Sequence, residues 1–160
     1  MKPKSGLLQT RRNGGILMSV KPIPDGYRTL TPLVAVQGVP RLIEFLKTAF
    51  GAMELMRFDL PDGSVMHAEV QIGDSRIMMG ECMDGSPPNH AALYLYVPDV
   101  DATYRSAVDA GATSLSEPSD QFWGDRAAGI KDPTGNTWWI ATHVEDVTPD
   151  EVTRRMEAFK

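Results

Sequence analysis

The feature that most constrains this chain is an internal repeat. "VAVQGVPRLIEFLKTAFGAM" begins at Val34, and "LYVPDVDATYRSAVDAGATS" begins at Leu95. Each reads as a strand, a turn into a helix, and a Gly-Ala step into a further strand, at an offset of about 60 residues. A chain of 160 residues has room for a single domain built from two such units. Paired units can each bury one sheet face against a helix. The opposite faces are then expected to curl around a shared cavity.

Both units extend to β-α-β-β-β. In the first, Leu30 to Val36 reads as a strand and Pro40 opens a helix. Leu42, Ile43, Leu46, Ala49 and Phe50 share one helical face, and Gly51 ends the helix. Strands follow at Met53 to Leu60, Ser64 to Ile72 and Arg76 to Gly80, joined by Pro61-Asp62-Gly63 and Gly73-Asp74 turns. In the second, Ala91 to Val97 is a strand. Asp99 caps a helix carrying Val100, Tyr104, Ala107 and Val108 on one face. A short strand spans Thr113 to Leu115, and "SEPSDQFWGD" reads as a loop. Strands at Arg126 to Lys131 and Asn136 to His143 flank an Asp132-Pro133-Thr134-Gly135 turn.

The fold class is therefore α+β: two βαβββ modules, about 28–81 and 90–143, forming a cupped, mostly antiparallel sheet within a domain spanning 23–147. Residues 1–22 are basic, polar and aperiodic, and are expected to be a disordered extension. Residues 148–160 predict a C-terminal helix. Thr148 and Glu151 fit a capping box, Pro149 takes the first helical position, and Val152, Met156 and Phe159 form a stripe suited to docking.

Alternation sorts each strand into faces. Met66, Ala68, Val70 and Ile72 point toward the helix, while His67, Glu69 and Gln71 point away. His90, Ala92, Tyr94 and Tyr96 share the non-core face of their strand. The adjacent Trp138 and Trp139 cannot both face the core, so one lines the other side. Solvent exposure is the ordinary fate of a polar strand face, and a hydrogen-bonded structural role is the ordinary fate of a lone histidine.

Charge and composition narrow the partners. A net charge of −5 argues against nucleic-acid binding through a basic surface. No apolar run reaches the roughly 20 residues that span a bilayer. A single cysteine, Cys82, fits a reducing, cytoplasmic compartment and an inert thiol.

The repeat, "DVDATYRSAVDAGAT" and the long string "GDRAAGIKDPTGNTWWIATHVEDVTPDE" together resemble the vicinal oxygen chelate superfamily, which includes glyoxalase I, bleomycin-resistance proteins and extradiol dioxygenases. The string is most similar to the PhnB-like branch. The resemblance covers about Leu30 to Arg155. It implies a cupped sheet with a central site, a homodimer, and, in metal-dependent members, four ligands from equivalent strands. Those positions fall at Thr31, Met78, Ala92 (or His90 with a shifted strand) and Trp139. Thr, Met, Ala and Trp are a poor set for a divalent cation. No metal and no cofactor are expected. A divalent metal held among His67, Glu69, His90, His143 and Glu145 is the lesser alternative.

Three functional readings follow. The leading one is a small-molecule pocket that binds or sequesters an organic ligand. Tyr94, Tyr96 and Trp139 supply aromatic walls and His67, Glu69 and Gln71 polar selectivity, with Thr31, Met78, Ala92, Trp123 and His143 also lining the pocket. The second is a lyase, isomerase or dioxygenase, with His67 and Glu69 as the candidate catalytic pair. Asp125 and Arg126 could anchor an anionic ligand through Arg126, against the plainer reading of an ion pair between the two that holds the Gln121 to Gly124 loop. The third is a ligand-free dimeric interaction module.

Overall fold

The structure, a computed structural model, describes residues 20–82 and 86–158. The greater part of the expected N-terminal extension, residues 1–19, lies outside the described residues, as does Phe159 of the C-terminal stripe.

The repeat in sequence is a repeat in topology. Module one runs β1 (Leu33–Val36), α1 (Val39–Phe50), β2 (Met53–Asp59), β3 (Val65–Ile72) and β4 (Ser75–Glu81). Module two runs β5 (Ala92–Tyr96), α2 (Val100–Asp109), β6 (Thr113–Asp120), β7 (Asp125–Lys131) and β8 (Thr137–His143), and α3 (Pro149–Glu157) closes the chain. The sheets are ordered β1-β4-β3-β2 and β5-β8-β7-β6. In each, the first and last strands of the module are parallel and the remaining pairs antiparallel. The parallel pairing requires a crossover, which the helix supplies.

The same joint in each module fixes where its helix starts. In module one the Glu81 carboxylate, at the end of β4, accepts from the Gly38 and Val39 amides at 2.9 Å each. These are N–H groups that a helix start leaves without an internal partner. In module two the Thr142 hydroxyl, on β8, accepts from the Val100 amide at 2.9 Å and donates to the Val97 carbonyl at 2.9 Å. Asp99 adds the expected cap by accepting from the Ala102 amide.

Each helix covers one face of its own sheet, and the two helices pack on each other, with the Ser106 hydroxyl donating to the Thr48 carbonyl at 3.1 Å. Val36, Leu46, Val70, Met79, Ile130 and Ile140 are among the fully buried side chains of this core. Phe50 meets Trp138 at 5.0 Å between ring centroids and ties the modules together.

Several sequence expectations change. β6 is an eight-residue edge strand rather than a three-residue strand and a loop. Its polar sequence, Pro118 and two register shifts conceal the alternation that would announce it, and an edge tolerates all three. Met66, assigned to the core face, is 59% exposed. Val108, assigned to the buried face of α2, is also exposed. In α3, Thr148 caps the Glu151 amide, but the Glu151 carboxylate turns to Arg154 and Arg155 instead of closing the box. No described residue of α3 is buried. The helix is tied down by Arg155, whose guanidinium donates two bonds to Glu145 at 2.8 and 2.7 Å. No helix among the described residues is long and apolar enough to cross a membrane.

Candidate functional site

The Asp132–Asn136 turn is structural. Buried Asp132 accepts from the Thr134 and Asn136 amides, the Asn136 side chain and the Trp138 indole N–H. Asn136 in turn accepts from the Ala91 amide, which sets β5 beside β8. His90 lies against Gly135, where a Cβ would come within 2.7 Å of its ring. This turn fixes the register of β8, and the register decides which tryptophan faces out. Trp138 is 3% exposed and Trp139 is 41% exposed.

Trp139 lies on the helix-free face of the second sheet, beside Tyr94 on β5 and Gly129 on β7. Gly129 is required there because a Cβ would stand 2.8 Å from the Trp139 ring and 2.9 Å from the Ser116 hydroxyl. Trp139, Tyr94, Trp123, Ala127, Ser116 and Gln121 enclose a cavity of about 350 Å³. All six come from module two. The expected cavity shared between the modules is therefore not what forms around Trp139.

Beside this cavity lies a buried carboxylate. Asp125, 2% exposed, accepts on Oδ2 from Tyr94 and Tyr96 at 3.0 Å and from the Trp123 indole at 3.1 Å. Oδ1 meets His143 Nδ1 at 2.9 Å, and His143 Nε2 meets Asp146 at 3.0 Å. Burial opposes the charge on Asp125, but the bonds from His143, Tyr96, Tyr94 and Trp123 outweigh it and hold the carboxyl below its ordinary range. Burial, then the bond to Asp125, pushes the Tyr94 phenol up to about 12. Asp146 and then Asp125 raise the His143 imidazole above its ordinary value.

Arg126 belongs elsewhere. It lies on the opposite face of β7 from Asp125, and its guanidinium grips Asp101 of α2 at 2.7 and 2.8 Å and Asp120 at 3.0 Å. It pins strand to helix. It neither lines the aromatic cavity nor pairs with Asp125, because neighbours on a strand point to opposite sides.

The helix-free face of the first sheet carries a second buried carboxylate. Glu69, 3% exposed, accepts from the Tyr27 phenol at 2.5 Å, meets His67 Nε2 at 3.0 Å and has Arg76 at 3.8 Å. Burial again opposes its charge, while Tyr27, His67 and Arg76 together lower its pKa. Tyr27 comes from the segment before β1 and lies under the Arg76 guanidinium, 4.4 Å from its ring centroid. Gln71 turns to the Gly73 carbonyl at 2.9 Å. His67, Glu69 and Gln71 thus share a face, as expected, but none lines the cavity around Trp139.

The implied metal positions do not converge on a donor set. Met78 pairs with Leu33 and Glu69, Ala92 with Thr137, and Trp139 with Tyr94. Thr31 precedes β1 and donates to the Arg28 carbonyl. A hydroxyl, a thioether, a methyl group and an indole do not fit the nitrogen and carboxylate ligands of a divalent cation. Among the described residues no group of three His, Cys, Asp or Glu side chains could hold one.

Sequence reasoning missed Tyr27, Ser116, Gln121 and Ala127. Tyr27 sits in an aperiodic lead with no pattern to mark it. Ser116 and Gln121 fell in the stretch read as a loop. Ala127 shares alternation with Asp125 and Gly129, and that signal was available.

Comparison with known proteins agrees with this architecture. The model of the Glyoxalase/Bleomycin resistance protein/Dioxygenase superfamily matches residues 29–140. The uncharacterized protein Mb0911c of Mycobacterium bovis is 32% identical over 143 residues, covering 81% of this chain and 92% of its own. The uncharacterized protein Rv0887c of Mycobacterium tuberculosis is 29% identical over 170 aligned residues, covering 98% and 95%. Among solved structures, TioX from Micromonospora sp. ML1 superposes with a TM-score of 0.58 at 22% identity, covering 72% of this chain and 99% of its own. A glyoxalase/bleomycin resistance protein/dioxygenase family enzyme from Burkholderia phytofirmans PsJN gives 0.59 at 18% identity, covering 70% and 95%. These last two likenesses speak to the fold alone. With the two βαβββ modules and the family match across most of the chain, this protein belongs to the Glyoxalase/Bleomycin resistance protein/Dioxygenase superfamily.

Proposed function

We propose that this protein binds a small organic molecule in the aromatic cavity of module two and holds or sequesters it without a metal ion. The observation that carries the reading is the pairing of Trp139, Tyr94 and Trp123 around one cavity with the buried, charged Asp125 beside it. Aromatic faces provide stacking area and attract cations, and a fixed negative charge nearby adds to that preference. The ligand class is a planar molecule bearing a positive charge. The single cysteine fits a cytoplasmic setting. The long C-terminal likeness noted in the sequence suggests the PhnB-like branch.

A titration of intrinsic tryptophan fluorescence against planar cations and their neutral analogues tests this. Saturable quenching by the cations, lost in Trp139→Ala, supports it. Equal response to the neutral analogues, or an unchanged response in Trp139→Ala, counts against it.

A second copy of the chain completes the proposal. The helix-free face of sheet one exposes Leu33, Met56 and Phe58, the last 52% exposed, and sheet two exposes Tyr94 and Tyr96. Faces of that character suit a homodimer contact. Sedimentation of native protein and Phe58→Asp tests it, and a concentration-independent monomer in both refutes it. The enzymatic alternative has less support. His67 and Glu69 do touch, but the Glu69 carboxylate already accepts from the Tyr27 phenol.

A further inference from the structure

A separate cavity of about 260 Å³ opens between the modules. Ile77, Leu93, Leu95 and Trp138 form its apolar wall. Its polar lining includes Arg28, Arg76, Ser75 and Thr31, with no acidic side chain among the described residues that line it. Arg28 is exposed, and among the described residues its guanidinium holds only a long 3.5 Å contact with Asp74.

Arg76 is the informative residue. Its side chain is 21% exposed. One face of the guanidinium rests on the Tyr27 ring, and Gly26 passes so close to it that no Cβ would fit. Among the described residues its sole ion-pair partner, Glu69, stands at 3.8 Å, beyond hydrogen-bond range, and is already engaged by Tyr27 and His67. Arg76 Nε is buried and has no hydrogen-bond partner among the described residues. A buried donor left without an acceptor costs free energy, and a cation most of all. An arginine short of acceptors, at the end of an apolar slot, is the recognition element for a carboxylate with a hydrocarbon body.

We infer that the slot between the modules binds an amphipathic monoanion, a carboxylate on an aliphatic or aryl chain, whose head group pairs with Arg76 and Arg28 and whose body lies against Leu93, Leu95 and Trp138. The site is distinct from the Trp139 cavity, and its ligand has the opposite charge.

Calorimetric titration of the full chain with octanoate and with octanamide tests the assignment. The two probes share a chain length and differ in charge. Octanoate is expected to bind at one site, with octanamide at least about tenfold weaker, because a charge-assisted bond to arginine is lost. Arg76→Met should weaken octanoate by a similar factor and leave octanamide unchanged. Leu93→Trp fills the slot with both arginines in place and should abolish binding of either probe. Equal affinities for acid and amide in the native protein overturn the inference whether or not the variants fold. So does octanoate binding that survives Leu93→Trp, or native protein that takes up no octanoate. Trp139→Ala leaves this titration unchanged, so failure here and failure of the aromatic cavity are distinguishable.

Discussion

Replacing Asp125 with Asn isolates the charge that organises the second sheet's open face. The carboxylate accepts bonds from Tyr94, Tyr96, Trp123 and His143. A carboxamide has one acceptor oxygen and cannot serve both sets of donors, so at least one is orphaned. Losing charge assistance at the three aromatic donors and the histidine bond amounts to about 3 kcal/mol. For a chain of this length that is a fall in Tm of roughly 9 °C. The pH dependence is more diagnostic. Asp125 has a depressed folded pKa, so its contribution is complete above its ordinary value of 3.8 and disappears as pH falls through the folded value. His143 has a raised folded pKa, so its contribution is complete below its ordinary value of 6.5 and fades as pH rises through the folded value. The difference in Tm between native protein and Asp125→Asn should therefore be widest between roughly pH 4.5 and 6.5. The alkaline decline is partial, because Asp146 contributes the larger share of the histidine's shift. Thermal melts from pH 3 to 9 measure it. A difference that stays flat across that range, or a Tm unchanged at pH 5.5, refutes the account of Asp125 as a working charge.

Gly129→Ala should push the Trp139 ring aside, cost about 1–3 kcal/mol as an overpacked site, and weaken ligand quenching of tryptophan fluorescence more than it lowers Tm. Asp132→Ala removes the acceptor for the Trp138 indole and the Asn136 side chain together, with a loss of about 3–5 kcal/mol read by urea unfolding. Tyr27→Phe frees the segment before β1 from Glu69 and should speed tryptic cleavage after Arg28, with secondary structure unchanged by circular dichroism.

The fold was legible because its determinants are local. Apolar periodicity, the glycine stops and the repeated Gly-Ala step lie within short windows, and they mark α1, α2 and most strands. β6 was not legible, since an edge strand needs no continuous apolar face and its ladder to β7 is made by backbone groups of a polar sequence. The start of α1 was half legible. Pro40 marks it, but the Glu81 carboxylate that accepts from its first amides arrives from more than forty residues away, through β4.

The site divides along the same line. Alternation on β8 requires one tryptophan to face outward, and the buried Asp132 knot decides that it is Trp139. The adjacency of Asp125 and Arg126 suggested a joint role, yet strand geometry separates them. Asp125 collects aromatic donors on one face, while Arg126 holds α2 on the other. The Glu69 cluster was half legible, because alternation puts His67 and Glu69 on one face but does not reach their tyrosine. Its partner Tyr27 has no periodic signal, and the residues around it from 20 to 30 are otherwise exposed, so Tyr27, bonded to Glu69 and stacked under Arg76, is the segment's main anchor on the sheet. Each sheet thus places one ionised carboxylate on its helix-free face. In module one that carboxylate is engaged by a tyrosine from the segment before the sheet, Tyr27. In module two the donors come from the sheet and its turn, and the aromatic cavity beside them stays open. That asymmetry between two modules of one topology is the strongest reason to look for the ligand at Trp139 rather than at His67.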